Sequence, residues 1–167
     1  SLDKIIDTMI NLEGRKDIKL VIVGDGSVKA ELISKIHNTK ANVEFFDQQP
    51  PNVVKNMISK ADIGLVSLSA DVYKYGYPGK IMTYLEQGKP IIALLEKESE
   101  IVKLMEQNNY GFYISDSNPK SISKFLIKLA ENKSWRLKMS QNAKKAYKKY
   151  FSVERILSKW SKVISFE

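Results

Sequence analysis

Five short runs of aliphatic and β-branched residues, each followed by a stretch with helical spacing, constrain this chain more than any other feature. The runs are IKLVIVG (Ile18 to Gly24), NVEFF (Asn42 to Phe46), DIGLVSL (Asp62 to Leu68), PIIALL (from Pro90) and YGFYI (Tyr110 to Ile114). A nearly unbroken apolar run such as the first predicts a strand buried on both faces, as in a parallel sheet. Between the runs the apolar period is helical. It holds Leu2, Ile5, Ile6, Met9, Ile10 and Leu12 ahead of the stop at Gly14, then Val28, Leu32, Ile33 and Ile36. Pro50 and Pro51 open a further helix with Val53, Val54, Met57 and Ile58 on its inner face. Helices are also predicted from Pro78 to about Gln87, Glu98 to Gln107, Pro119 to Asn132, Ser134 to about Tyr150 and Val153 to Ile164, the last capped by Ser152.

Strands alternating with helices predict an α/β fold. The expected form is a Rossmann-like parallel sheet of about five strands, helices on both faces, and two or three closing helices. Crossovers between parallel strands are right-handed. The 167 residues suffice for one core, and no repeat or low-complexity linker divides them, so residues 1–167 are expected to form a single domain.

Several function classes are disfavoured. The chain has no cysteine, hence no disulfide and no thiolate metal site, which fits a reducing compartment. Its one histidine, His37, sits in the polar stretch KIHNTK, is expected at the surface, and supports neither a transition-metal site nor a Ser–His–Asp arrangement. No apolar run approaches the ~20 residues of a membrane helix. The first residues carry acids and no signal-peptide core, so export is not expected. The formal charge is +8, with lysines dispersed along the chain. Such a balance fits a solvated surface as well as an anionic partner.

The segment AKKAYKKY, Ala143 to Tyr150, sorts Lys144, Lys145, Lys148 and Lys149 onto one arc of a helix and Ala143, Ala146, Tyr147 and Tyr150 onto the other. The lysine arc is either a solvated face or a peripheral contact with an anionic membrane. With the aromatics on the inner arc, a base-stacking platform is disfavoured, and no nucleic-acid partner is expected. Trp135 and Trp160 are expected to pack in a core or against a further domain.

Ligands of an open parallel sheet bind beyond the carboxyl ends of its strands, and two loops there carry candidate chemistry. In VGDGSVKAEL, Gly24 and Gly26 leave a strand and enter a helix, where free N–H groups attract anions. Lys29 occupies the third glycine position of a dinucleotide fingerprint, which weakens that reading and leaves a plain tight turn open. In YPGKIMTYLEQGKPIIALL, Pro78 is expected at the first helical position and Gly79 leaves room for a phosphate. The amides of Gly79, Lys80 and Ile81 are expected to point out of the helix start, where the dipole adds about half a positive charge and Lys80 a full one. A plain helix start with a solvated lysine is the competing reading.

The ordered set of segments resembles the C-terminal half of family 4 glycosyltransferases, which have two Rossmann-like domains. The resemblance rests on VGDG with Leu32 six residues on, KADIGLVSLS, YLEQGKPIIA and NAKKAYKKYFSVERI, in that order, and covers essentially the whole chain. It implies a half that binds the nucleotide diphosphate of an activated sugar. The other half would bind the acceptor glycan, lipid-linked or not, with transfer retaining anomeric configuration. The P-G-K of Pro78, Gly79 and Lys80 resembles the P-x-K of members that build bacterial capsule, O-antigen or exopolysaccharide. There the helix start and lysine face the diphosphate, so Lys80 is the expected catalytic residue. Phe46, Asp47, Gln48 and Gln49 would border the base, with Gly24 and Gly26 near the donor. Neither a metal nor a cofactor is expected beside the nucleotide sugar. The implied location is the cytoplasm, at the inner face of the membrane where lipid-linked acceptors reside.

The chain departs from the family at three places. Two glutamates with seven residues between them in many members fall on Tyr75 and Thr83. Thr83 offers the ribose a hydroxyl where a carboxylate usually stands. Glu86, one turn on, is a candidate substitute. The family's glycine after the second strand falls on Asp47. The family's first strand and the basic pair that follows it would precede Leu2. The chain is therefore expected to be a fragment that cannot catalyse transfer alone, in which the flanking strands close up or a partner fills the gap. If its closing helix normally docks on another domain, it exposes an apolar patch and self-associates. The alternatives are half of a sugar-nucleotide epimerase and a non-catalytic nucleotide-binding or assembly domain of the same fold.

Overall fold

The computed structural model describes residues 2–67, 78–95, 97–114 and 118–164. In chain order the elements are α1 (Leu2–Asn11), β1 (Leu20–Val23), α2 (Lys29–Ile36), β2 (Val43–Phe46), α3 (Pro51–Lys60), β3 (Gly64–Ser67), α4 (Gly79–Glu86), β4 (Ile91–Leu94), α5 (Glu100–Asn108), β5 (Gly111–Tyr113), α6 (Pro119–Glu131), α7 (Lys133–Tyr150) and α8 (Val153–Ile164). Every aliphatic run of the sequence contains a strand, and the helices fall between and after them. Local chemistry sets their ends. Asn118 caps α6 by accepting from the Lys120 amide ahead of Pro119, and Asn109 ends α5 in the left-handed region at φ 50°. Ser152 accepts from the Arg155 amide at 3.3 Å, as its N-cap position predicts.

All strand pairs are parallel, but the hydrogen-bonded ladder comes in two pieces. β1 pairs with β2 from Leu20↔Val43 to Val23↔Phe46. β4 lies between β3 and β5, with Gly64↔Ile91 and Ile91↔Gly111 in register. The two pieces share a core even though no ladder joins them among the described residues: Leu20 of β1 and Leu65 of β3 pack against the same cluster of Ile5, Leu94 and Ile122.

β4 shows why the run PIIALL was readable. All four of its residues are buried, and they alternate between two faces. Ile91 and Ala93 join Ile81 and Leu85 of α4, Ile101, Val102 and Met105 of α5, and Ala143 and Ala146 of α7. Ile92 and Leu94 meet residues of α1, α6 and the first half of α7 on the other side. Period-two alternation thus buries both faces of a central strand, each fully buried aliphatic side chain contributing about 1.5–3 kcal/mol.

The first strand departs from its expectation. Val21 is 44% exposed, so β1 is not buried on both faces. One face of β1 is covered where Leu20 packs with Ile5 of α1. α3 brings no buried residue, and Val53, expected on its inner face, is exposed. Polar contacts tie α3 to the α4 segment instead: Lys55 pairs with Glu86 at 3.1 Å, and Lys89 Nζ donates to the Ser59 and Ala61 carbonyls at 2.8 and 2.7 Å.

The closing helices divide the two tryptophans. Trp135 packs edge-on against Phe112 and Phe125, with centroids 4.8 and 6.0 Å away. Trp160 lies exposed on α8 and packs in no core cluster. On α7, Ala143 and Ala146 are buried while Lys144, Lys145, Lys148 and Lys149 are exposed, the sorting that AKKAYKKY predicts. His37 is at the surface beside Asn38.

Candidate functional site

The carboxyl ends of β1, β2 and β3 run into Gly24, Asp47 and the segment that leads to α4. The pairing of β1 with β2 brings the loops after them, with Gly24, Gly26, Asp47 and Gln48, side by side, while Pro78 to Thr83 open α4 after β3 of the other ladder; ligands of parallel sheets bind beyond such carboxyl ends. Gly24 adopts φ 136°, a conformation side chains resist, and its amide donates to the Phe46 carbonyl at 3.1 Å. That bond carries the β1–β2 pairing one step past the strands and sets the two loops side by side.

Lys29 stitches the loops together. Its ammonium lies 2.9 Å from Asp25 and 2.5 Å from Asp47, and donates to the Phe46 carbonyl at 3.2 Å. The other Asp25 oxygen accepts from the Gln48 amide at 2.8 Å. Lys29 and the Gln48 amide hold the Asp25 carboxyl below the usual range, and the two carboxylates hold the Lys29 ammonium above its own. Around this network lies an open hollow of about 340 Å³, lined by Asp25, Gly26, Ser27, Lys29, Ala30, Ile33 and Asp47. Asp47 and Gln48 are exposed there and Phe46 is half-buried. Sequence reasoning missed this role for Lys29 and Asp25. Their i, i+4 spacing was the available signal.

The start of α4 is built differently. Pro78 caps the helix in extended conformation (φ −62°, ψ 122°), one residue earlier than its expected first helical position. Ile81 and Leu85 are fully buried, which fixes the helix on the core. The Ile81 amide donates to the Pro78 carbonyl at 3.0 Å, so it is engaged inside the helix, contrary to the expectation that it points outward. The amides of Gly79 and Lys80 have no partner among the described residues. A Cβ built on Gly79 would meet nothing within 4 Å, and its φ is not positive. Neither packing nor backbone conformation among the described residues therefore requires glycine here.

Lys80 has no ion pair among the described residues, and desolvation pushes its ammonium below the ordinary lysine range although the side chain reaches solvent. Thr83 is half-buried one turn on. Glu86 lies at the far end of α4 and is taken up by Lys55, so it faces α3 and not the helix start. Tyr75 lies outside the described residues. Ser67, which ends β3, has a buried hydroxyl with no partner among the described residues. No hydrogen bond or ion pair among them joins the α4 start to the Lys29 network; what the two share is a place after the carboxyl ends of strands.

Comparison with known proteins gives this geometry its context. A family model described as "Glycosyl transferases group 1" matches residues 1–146. A curated relative, "Probable glycosyltransferase WbjE" of Pseudomonas aeruginosa, is 22% identical over 124 residues, which is 73% of this chain and 31% of that protein. The fold resembles that of WaaG, a glycosyltransferase involved in lipopolysaccharide biosynthesis, with a TM-score of 0.72 at 19% identity over 100% of this chain and 44% of that one. It also resembles Anabaena Alr3699/HepE, solved in complex with UDP-glucose, with a TM-score of 0.74 at 16% identity over 98% of this chain and 44% of that one. The chain thus spans between 31% and 44% of the length of these proteins.

Proposed function

Since the chain belongs to the group 1 glycosyltransferases, we propose that it is the nucleotide-sugar donor-binding half of a retaining enzyme that builds a bacterial surface polysaccharide. The observation that carries this reading is the start of α4. Two amides and a lysine ammonium with no partner among the described residues, and a glycine that those residues do not require, lie at the positive end of a helix dipole. That set suits the diphosphate of an activated sugar.

When the sugar–phosphate bond breaks, negative charge grows on the departing nucleoside diphosphate. The Lys80 ammonium and the amides of Gly79 and Lys80 meet that charge in a site already organised for it. Interactions that strengthen in the transition state raise the rate more than the donor affinity. This reading assigns charge stabilisation to Lys80 and the helix and gives no step to a metal. Phe46 and Asp47, held by Lys29, and Gln48, held by Asp25, border the base, with Gly24 and Gly26 behind them and Thr83 toward the ribose. Ile81 anchors the helix. The acceptor, a glycan carried on a lipid at the inner membrane face, would sit on another part of the enzyme. The names of WaaG and HepE, which invoke lipopolysaccharide and UDP-glucose, accord with that substrate class.

Transfer by the full-length protein carrying Lys80→Ala tests the reading. The rate should fall by about 10²-fold or more, with a smaller change in donor KM. Unchanged transfer would sink it. A second reading, nucleotide binding without catalysis, is favoured by Thr83 in the family's glutamate place and by the engagement of Glu86 with Lys55. Wild-type turnover separates the two.

A further inference from the structure

The loop after β2 has few backbone groups left for a ligand. The Phe46 carbonyl accepts from both the Gly24 amide and the Lys29 ammonium, and the Gln48 amide donates to Asp25. Engaged inside the protein, these groups do not read the edge of a base. The side chains can. Asp47 is exposed at the hollow that it lines with Gly26, Ala30 and Ile33. Its Oδ1 accepts from Lys29 at 2.5 Å, and an ionised carboxylate has about four acceptor sites, so sites remain for a ligand. Asp25 and Asp47 share the one positive charge of Lys29, which leaves the rim of the hollow with an excess of negative charge. Such a rim welcomes N–H donors and repels carbonyl oxygens. The hollow, about 340 Å³, lies at the lower end of the range of small-ligand sites, about 300–1,000 Å³.

We propose that Asp47 selects guanine, so that the donor is a sugar carried on guanosine diphosphate. This inference rests on the donor-binding reading above and adds the identity of the base. On its Watson–Crick edge guanine sets two donors side by side, N1–H and the N2 amino group, with the O6 acceptor next to them. The two donors suit the Asp47 carboxylate. O6 suits the side-chain amide of Gln48, which is exposed beside Asp47 and has no partner among the described residues. Uracil flanks its N3–H with two carbonyls, one of which would face the carboxylate. Adenine and cytosine each set a bare ring nitrogen beside the amino group, an acceptor against an acceptor. Ala30 and Ile33 supply apolar surface to the face of the base, and Ile33 is 41% exposed there. Lys29 is a positioning residue, holding the carboxylate that makes the choice. The UDP-glucose of HepE does not decide the base here, because at 16% identity that likeness is one of fold.

The test is calorimetric titration of the full-length protein with GDP, inosine diphosphate, UDP and ADP, as wild type, Asp47→Asn and Lys80→Ala. GDP should bind the wild type about tenfold or more tighter than UDP or ADP. Inosine diphosphate, which lacks only the N2 amino group, should bind about tenfold or more weaker than GDP. Asp47→Asn sets a donor beside an acceptor. It should lose the preference for GDP and bind xanthosine diphosphate, which carries a carbonyl in place of that amino group, more tightly than GDP. A purely structural Asp47 would not exchange one base for the other. Lys80→Ala should weaken every nucleotide without changing their order. Binding of UDP or ADP as tight as that of GDP, and dependent on Lys80, would overturn this inference and leave the donor-binding reading standing. Equal affinity of the wild type for GDP and inosine diphosphate would also overturn it, with no variant needed. Binding of none of the nucleotides would overturn both.

Discussion

The Lys29 ammonium lies 2.5 Å from the Asp47 carboxylate, joining the start of α2 to the loop that follows β2. Asp25, four residues before Lys29, adds a second carboxylate at 2.9 Å and uses its other oxygen to hold the Gln48 amide. An acid at position 47 beside a phosphate site would be costly if unpaired. Lys29 pairs it, sharing its single positive charge with Asp25, and fixes where it points.

This network has a defined pH range. Asp25 titrates below its ordinary value in the folded protein, so its contribution is present above the usual carboxylate range and is lost as pH falls through the lowered value. Lys29 titrates above its ordinary value, so its share holds below the usual lysine range and is lost as pH rises through the raised one. Lys29→Met should move the Asp25 midpoint up toward that of a free aspartate. Following the Gln48 amide by nuclear magnetic resonance through an acid titration checks this, and an unmoved midpoint would contradict it.

Lys80 gives the opposite sign for a base. Desolvation lowers its pKa, so the folded state carries a cost for the charged form at low pH that disappears once the lysine is neutral in both states. A bound diphosphate should pull the proton back on. Nucleotide affinity should therefore fall as pH rises through the lowered Lys80 value, with proton uptake on binding near that pH. Calorimetry in buffers of different ionisation enthalpy reads the uptake, and Lys80→Ala should abolish it.

Two glycines should separate folding from binding. Gly24→Ala forces a side chain onto φ 136° and should cost about 1–3 kcal/mol of stability. Gly79→Ala adds a methyl to open space at a helical position and should change stability by less than about 1 kcal/mol. The same Gly79→Ala should weaken nucleotide binding, because its Cβ would stand where the diphosphate approaches. Urea unfolding beside nucleotide titration checks both, and a Gly79→Ala variant that binds normally would count against the α4 site.

The sorting of the helices predicts a contrast in stability. Leu85, fully buried between β4 and α7, should lose about 2–5 kcal/mol on substitution by alanine. Leu157 on α8 should change stability by no more than about 0.5 kcal/mol. Thermal unfolding of the two variants decides it.

What the sequence made legible follows from what a single segment can encode. PIIALL and DIGLVSL read as parallel strands because a strand covered on both faces is apolar at every position, and β4 is covered in that way. The resemblance raised a gap in the sheet, but not that β1–β2 and β3–β4–β5 would stay unpaired among the described residues where closing up was one expectation, because strand composition does not say which edges pair. Val21 misled for a related reason: its neighbours are aliphatic, but whether a strand face is covered depends on what packs on it, and among the described residues Val21 stays exposed. In the site, Lys29 read as the loss of a fingerprint glycine, while Asp47, its partner across the hollow, is brought close only by the pairing of β1 with β2. Pro78 shifted by one position because proline's fixed φ fits the cap and the first turn alike. The period of α8 was clear; that nothing in the described fold covers its apolar face is a tertiary fact.

The central claim, that the start of α4 is a diphosphate clamp, is tested most directly by calorimetric titration of this chain with UDP, GDP and ADP at low salt, as wild type and as Lys80→Ala. The account predicts that one of the three binds the wild type and that Lys80→Ala loses it by tenfold or more. Equal affinity of the two proteins for the same nucleotide, or no binding of any of the three to the wild type, would contradict it.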